Sequence, residues 1–307
     1  MKNEKEKEKQ RLYLLARDDV TSNNIVLCLK KAEPYESALE KDLSEWNASE
    51  IIDFYKSLCT PSLDFLKNIN SVYKAFTNWC LKENLLKDNI NHYDEITNEI
   101  LLKCVNKDMA DQRIITRERL LEEIKKFENP REQFLCLACF EGLAGHELEE
   151  IINVKLSDFQ NGMIVNLKHR DPIPYSKELY KYAMEAANTY IFVQLDTAGR
   201  HREFEMRGDS DTIVKKIISN NVSDNDEPIK VQMIYRIFKE IQKSTNIPAF
   251  TSKALKESGR IHRIKELVKQ HEGWTVMDAI KDPSVSHIYG RLLSYKEYVM
   301  KYNEFLA

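Results

Sequence analysis

Apolar residues recur at helical spacing through most of the chain, and only short stretches alternate. From Val20 to about Asn106 several short helices are predicted. Thr21 to Asn24 offer a cap before Ile25, Val26 and Leu27, and Asn47 or Ser49 caps Ile51, Ile52, Phe54 and Tyr55. Pro61 breaks the chain, after which Leu66, Ile69, Val72, Tyr73, Phe76, Trp79 and Cys80 keep a helical period to near Asn84. Periodicity lapses between Asn106 and Arg113, where polar residues gather. Thr116 then caps a helix that reaches Ile124, Asn129-Pro130 ends it, and the apolar run from Phe134 to Phe140 follows. Next comes FEGLAGHELEEIINVKLSDF, Phe140 to Phe159. Leu148, Ile151 and Ile152 share one face with Glu147, Glu149 and Glu150 around it, so an amphipathic helix is predicted, its start loosened by Gly142 and Gly145. Gly162 opens an alternating run, Met163 to Leu167, that reads as a strand. Ser176 begins a helix running from Leu179 to about Phe192, and Asp196 to Asp211 reads as an exposed, arginine-rich loop. Val231 to Lys243 is an amphipathic helix closed by Asn246-Ile247-Pro248, and another helix follows Phe250. The pattern predicts a mostly α fold with a small β-sheet. It divides into a charged tail over 1–19, a helical domain over 20–106, a linker over 107–115 and a second domain over 116–307.

Composition narrows the function classes. With 307 residues the chain can form two proper cores, and its scarcity of glycine and proline (8 of each) suits helices. A net charge of −3 carries no global nucleic-acid signature, so DNA binding has to rest on local clustering. The densest basic cluster runs from Lys253 to Lys265 and includes Lys256, Arg260, His262 and Arg263, with Glu257 the only acid before it ends. Six cysteines are scattered; Cys136 and Cys139 form the only close pair, lie in an apolar run and have no second pair at zinc spacing, so buried reduced thiols are expected and no metal. MKNEKEKEKQR has no apolar core and does not read as a signal peptide, and no apolar run is long enough to cross a membrane. An intracellular protein without a cofactor is expected.

Several motifs resemble, in order, those of the tyrosine recombinases (the phage-integrase family). Ser44-Glu45-Trp46-Asn47 and Ile51 to Tyr55 resemble a segment of that family's core-binding domain. Tyr73-x-x-Phe76-x-x-Trp79 followed by Lys87-Asp88-Asn89-Ile90-Asn91 resembles its last helix and closing turn, with His92 where proline is usual. The stretch ending Lys155-Leu156-Ser157-Asp158-Phe159 resembles the Gly-Leu-Arg-x-x-Glu-Leu motif that carries the first catalytic arginine. Glu150 matches the motif glutamate, and Glu147, or Ala144 in a register one turn away, stands where the arginine belongs; no arginine occurs between Arg131 and Arg170. Asp171-Pro172-Ile173-Pro174 resembles the strand after the hairpin lysine, which Lys168 would match, and Arg170 falls beside it. Phe250 to Ser258 resembles the segment that carries a histidine and the second arginine, here replaced by Lys253 and Lys256. Asp282 takes the position of the last histidine, and Tyr289 lies near the nucleophile's position.

The resemblance implies a two-domain clamp around double-stranded DNA, with a helical core-binding domain and a catalytic-like domain. It also implies that strand cleavage is lost. A carboxylate roughly 4 Å from a phosphate costs about 4 kcal/mol at an effective dielectric near 20, and the missing arginine's attraction adds to that. Lysine keeps a charge but not the bidentate fork of arginine. On this reading Glu147, Lys168, Lys253, Lys256, Asp282 and Tyr289 are degenerate catalytic positions. DNA contact falls to Lys168, Arg170, Arg202, Arg207, Lys253, Lys256, Arg260, His262, Arg263 and Lys265. A bacterial phage or prophage regulator that occupies operator DNA at the nucleoid is expected, with room for a homo-oligomer on DNA. The overall look is similar to the integrase-like master repressors of SPβ-type prophages. Two alternatives stay open: a divergent active recombinase using Tyr289, Lys256 and Arg202 or Arg207, and a protein-interaction module whose basic helix is merely solvated.

Overall fold

The computed structural model describes residues 13, 22–86, 88–195, 201–208, 211–218 and 229–306. The chain is mostly helical with two small sheets, and it divides into two compact units, Met1–Asp111 and Gln112–Ala307.

The first unit is built from α1 (Ser22–Leu39), α2 (Ala48–Ser57), α3 (Leu63–Lys82), α4 (Asn98–Cys104) and α5 (Lys107–Asp111). Its starts are capped as the polar residues require. Asn47 and Glu50 form a reciprocal capping box on α2, Ser62 caps α3 and Thr97 caps α4. The aromatic stripe of α3 is core: Leu66, Ile69, Tyr73, Phe76 and Cys80 are buried and pack with Trp46, Phe54 and Tyr55. Asn91 closes the unit by bonding Lys74 O (3.1 Å) and Asn78 Oδ1 (2.7 Å) across to α3. Two features differ from the sequence reading. Tyr13 belongs to the stretch read as a charged tail, yet it is buried edge-on against Phe76 at 5.2 Å. The stretch read as a linker contains α5, whose first turn follows an Asn106 N–H tied to Thr60 O.

The second unit contains α6 (Arg117–Ile124), α7 (Pro130–Phe140), the short α8 (Glu149–Asn153), α9 (Lys177–Ala187), α10 (Val231–Thr245), α11 (Ser252–Gln270), α12 (Val276–Lys281), α13 (Pro283–Tyr289) and α14 (Tyr295–Leu306). Strands β1 (Phe159–Gln160), β2 (Met163–Ile164) and β3 (Ile173–Pro174) form an antiparallel sheet in that order. A hairpin of β4 (Ile191–Leu195) and β5 (His201–Glu205) pairs Phe192 with Phe204. Helix α7 is the centre of the unit, with every residue from Phe134 to Phe140 buried and α9 and α11 packed on it. Cys136 and Cys139 are free thiols inside this core, and burial pushes the Cys139 thiol up to about 12. α9 stops at Ala187, short of the Phe192 expected, because the β-branched and aromatic residues that follow pair with β5. Residues 201–205, read as loop, are therefore strand, while 196–200, 209 and 210 lie outside the described residues.

Candidate nucleic-acid interface

The segment expected to continue as a helix from Phe140 turns instead. α7 ends at Phe140, and positive φ angles follow at Gly142 (87°), Gly145 (67°), Glu147 (50°) and Leu148 (64°), leaving only Glu149–Asn153 α-helical in the segment. Gly142 is needed where it stands: a Cβ there would lie 2.4 Å from Ile288 Cγ2, besides requiring a left-handed backbone. Glu147, which one register of the resemblance sets against the first arginine, is exposed in this turn, while Ala144 of the other register is buried. Lys168 is 70% exposed and reaches Glu149 at 3.7 Å.

The buried carboxylate of the turn is Glu150, and its partner is Arg170. Arg170 Nε donates to Glu150 Oε1 at 2.7 Å and Nη2 to Oε2. The same guanidinium donates to Gly142 O (2.7 Å), His287 O (3.1 Å) and Ile288 O (2.6 Å). All of its donor directions are used on the chain itself, so Arg170, expected on the DNA face, instead fastens α13 to the turn after α7.

α13 carries Tyr289. Its N-cap is Asp282, which accepts from Ser284 N at 2.8 Å, so the residue that the resemblance set against the last histidine caps a helix here. Tyr289 is buried, and its hydroxyl donates to Phe140 O at 3.1 Å. Burial, aided by the nearby Glu141 carboxylate, raises its pKa well above that of an ordinary tyrosine, although Arg263, Arg260 and Arg170 pull the other way. α11 reaches the same carbonyl through Gly259, where a Cβ would lie 1.7 Å from Phe140 O.

On α11 the basic cluster divides by periodicity. Arg260 is 5% exposed, donates to Tyr289 O and Gly290 O, pairs with Glu257 at 3.2 Å and stacks over the Tyr298 ring at 5.6 Å. It too is internal, not the surface contact expected. His262 is half-buried against the Phe140 ring, and burial is the main cause holding its pKa below normal. Lys253 is exposed, and Arg263 and Lys265 are half-buried, with Arg263 Nη2 3.4 Å from Ser284 Oγ. Lys256 is half-buried next to Gly290, a Cβ on which would come within 4.0 Å of Nζ. Desolvation first, then the positive charge of Arg260, lowers its pKa, Glu257 only partly opposing them.

The sequence that builds this geometry matches a known family. The family model described as "MrpR, C-terminal catalytic domain" fits residues 114–281, and that described as "MrpR, N-terminal core-binding domain" fits residues 1–82. The chain belongs to the MrpR family. Core-binding and catalytic modules in this order make a tyrosine-recombinase-like architecture, and the core-binding module points to DNA as the partner. None of the curated proteins matches the chain.

The remaining cations lie elsewhere on the unit. Arg202 is exposed on β5 opposite Gln194, and Arg207, half-buried, donates its backbone N–H to Lys216 O at 2.9 Å. Sequence reasoning passed over Arg291, exposed immediately after Gly290. A Gly-Arg pair between two short helices was the available signal. Among the described residues no group of three or more His, Cys, Asp or Glu could hold a metal ion, and no helix is long and apolar enough to cross a membrane.

Proposed function

We propose that the protein binds duplex DNA sequence-specifically and represses transcription by occupying an operator, without cutting the strand. The observation that carries this reading is the Tyr289 hydroxyl. It is buried and donates to the Phe140 carbonyl, in a site where burial keeps the phenol protonated. A phenol so placed meets no phosphate, and attack on phosphorus requires an accessible oxygen that gives up its proton. The charge that builds on a cleaved phosphate would also lack arginine at the two positions where the resemblance places it. On the resemblance Glu147 or Ala144 and Lys256 stand at those positions, and Arg170 and Arg260 are committed to Glu150, Glu257 and backbone carbonyls.

DNA contact falls to Lys168, Lys253, Lys256, Arg263, Lys265, Arg202 and Arg207, while Arg170, Arg260 and His262 hold the scaffold that presents them. In a phage or prophage setting, a clamp that recognises a site and leaves it intact acts as a lysogeny repressor. Selection of bound fragments from the source genome should return a discrete operator, and a nicked suicide duplex carrying it should yield no SDS-resistant adduct. A phosphotyrosyl adduct lost in Tyr289→Phe would make the protein a recombinase. Absence of any enriched fragment would end the DNA reading.

A further inference from the structure

Among the described residues Leu293 is the most exposed large apolar side chain, at 105%, against 60% for Leu27. It stands in the short connection Gly290–Ser294 between α13 and α14, and that connection is held at both ends. At one end Gly290 adopts φ 84°, its N–H bonds Ser286 O at 2.9 Å, and the carbonyls of Tyr289 and Gly290 accept from Arg260. At the other, Ser294 Oγ accepts from Glu297 N at 3.2 Å, and the adjoining Leu292 packs against the core. The backbone thus turns one leucine inward and the next outward, a pre-ordered finger with an apolar tip.

The flanks of the finger carry an excess of cations, with the half-buried Glu297 in the first turn of α14 set against them. Arg291 is exposed on it, Lys256 Nζ lies beside its first residue, and exposed Lys296 sits in the first turn of α14. Two copies meeting through this tip would bring Arg291 and Lys296 against their own counterparts, with one leucine each to bury, which is unfavourable. An apolar tip ringed by cations fits a polyanion with an apolar interior: stacked base pairs between phosphate rails. We infer that Leu293 is a wedge that inserts between base pairs from the minor groove, with Arg291 and Lys256 on the flanking phosphates. The wedge rests on the DNA-binding reading, and it adds that the bound duplex is partly unstacked and underwound.

The test uses the full chain and relaxed closed-circular plasmid at low salt, with plasmid binding followed by gel shift and linking number read after topoisomerase treatment. The wild type should bind and change the linking number. Leu293→Ala, compared at protein concentrations that shift all the plasmid, should lose most of that change, and Leu293→Phe should keep it, since an aromatic wedge unstacks as well as an aliphatic one. If the wild type binds but Leu293→Ala changes the linking number equally, the wedge is wrong and the DNA reading stands. If the wild type shifts no plasmid, both fail. A sedimentation change from dimer to monomer in Leu293→Ala, with linking number unaffected, would make Leu293 a self-association contact and overturn the wedge.

Discussion

Replacing Arg170 by Met separates a scaffold arginine from a DNA-contacting one. The guanidinium makes five hydrogen bonds, two of them to a Glu150 side chain that is 3% exposed. Methionine fills a similar volume but leaves the buried carboxylate uncompensated and strands the carbonyls of Gly142, His287 and Ile288. Breaking a buried pair from one side costs about 3–5 kcal/mol, and this pair is 17% exposed on the arginine side, which favours the lower half of that range. A unit the size of Gln112–Ala307 shifts its midpoint by about 2–4 °C per kcal/mol, so a fall of roughly 6–16 °C is expected in calorimetry. Arg170→Met with Glu150→Met should recover much of the loss, because the orphaned charge goes with its partner. Well below its midpoint, Arg170→Met should bind DNA with an unchanged salt slope. A loss under about 1 kcal/mol with a slope reduced by about 0.9 would place Arg170 on a phosphate and refute the clasp.

Three further outcomes follow from the same junction. Gly259→Ala, despite a gain in helix propensity, should destabilise by about 3 kcal/mol in denaturant titration, because the new methyl meets the Phe140 carbonyl, a backbone atom that cannot swing aside. Tyr289→Phe should cost about 1 kcal/mol and leave operator affinity unaltered; a tenfold loss of affinity would bring the hydroxyl to the DNA. Lys256→Met should raise the thermal midpoint at neutral pH while reducing the DNA salt slope by about 0.9. Its folded-state pKa is depressed, so between that value and the unfolded one the unfolded chain binds more protons and wild-type stability rises with pH. Lys256→Met should show less of this rise, and an identical profile in titration calorimetry would argue against a desolvated ammonium.

Much of this was legible in the residues. Caps at Asn47, Thr116 and Ser176 fall where the sequence places helix starts, since a short polar side chain followed by an apolar period has a local cause. The order of motifs likewise identified the recombinase-like pair of modules. What stayed hidden depends on distant partners. The stretch after Phe140 keeps a helical period, yet Ile288 packs where Gly142 must bend, 146 positions away by residue number. Arg170 and Arg260 read as surface charges because, besides Glu150, Glu257 and Gly142 O, their acceptors are main-chain carbonyls of 287–290, which no side-chain pattern reports. Tyr13 was masked by the charge around it, and the β4–β5 hairpin by the helical run leading into it.

The Arg170 clasp also sets an order of events during synthesis. Its acceptors at His287 and Ile288 lie 117 and 118 positions downstream. At about 5–20 residues per second a ribosome takes roughly 6–24 s to cover that distance. Throughout that interval Glu150 and Arg170 have each other but not α13, and the α7 surface that Ile288 and Tyr289 will cover is open to water. The second unit therefore closes late whatever the speed of its local helices, and its nascent form is a natural client for a chaperone that holds apolar surface.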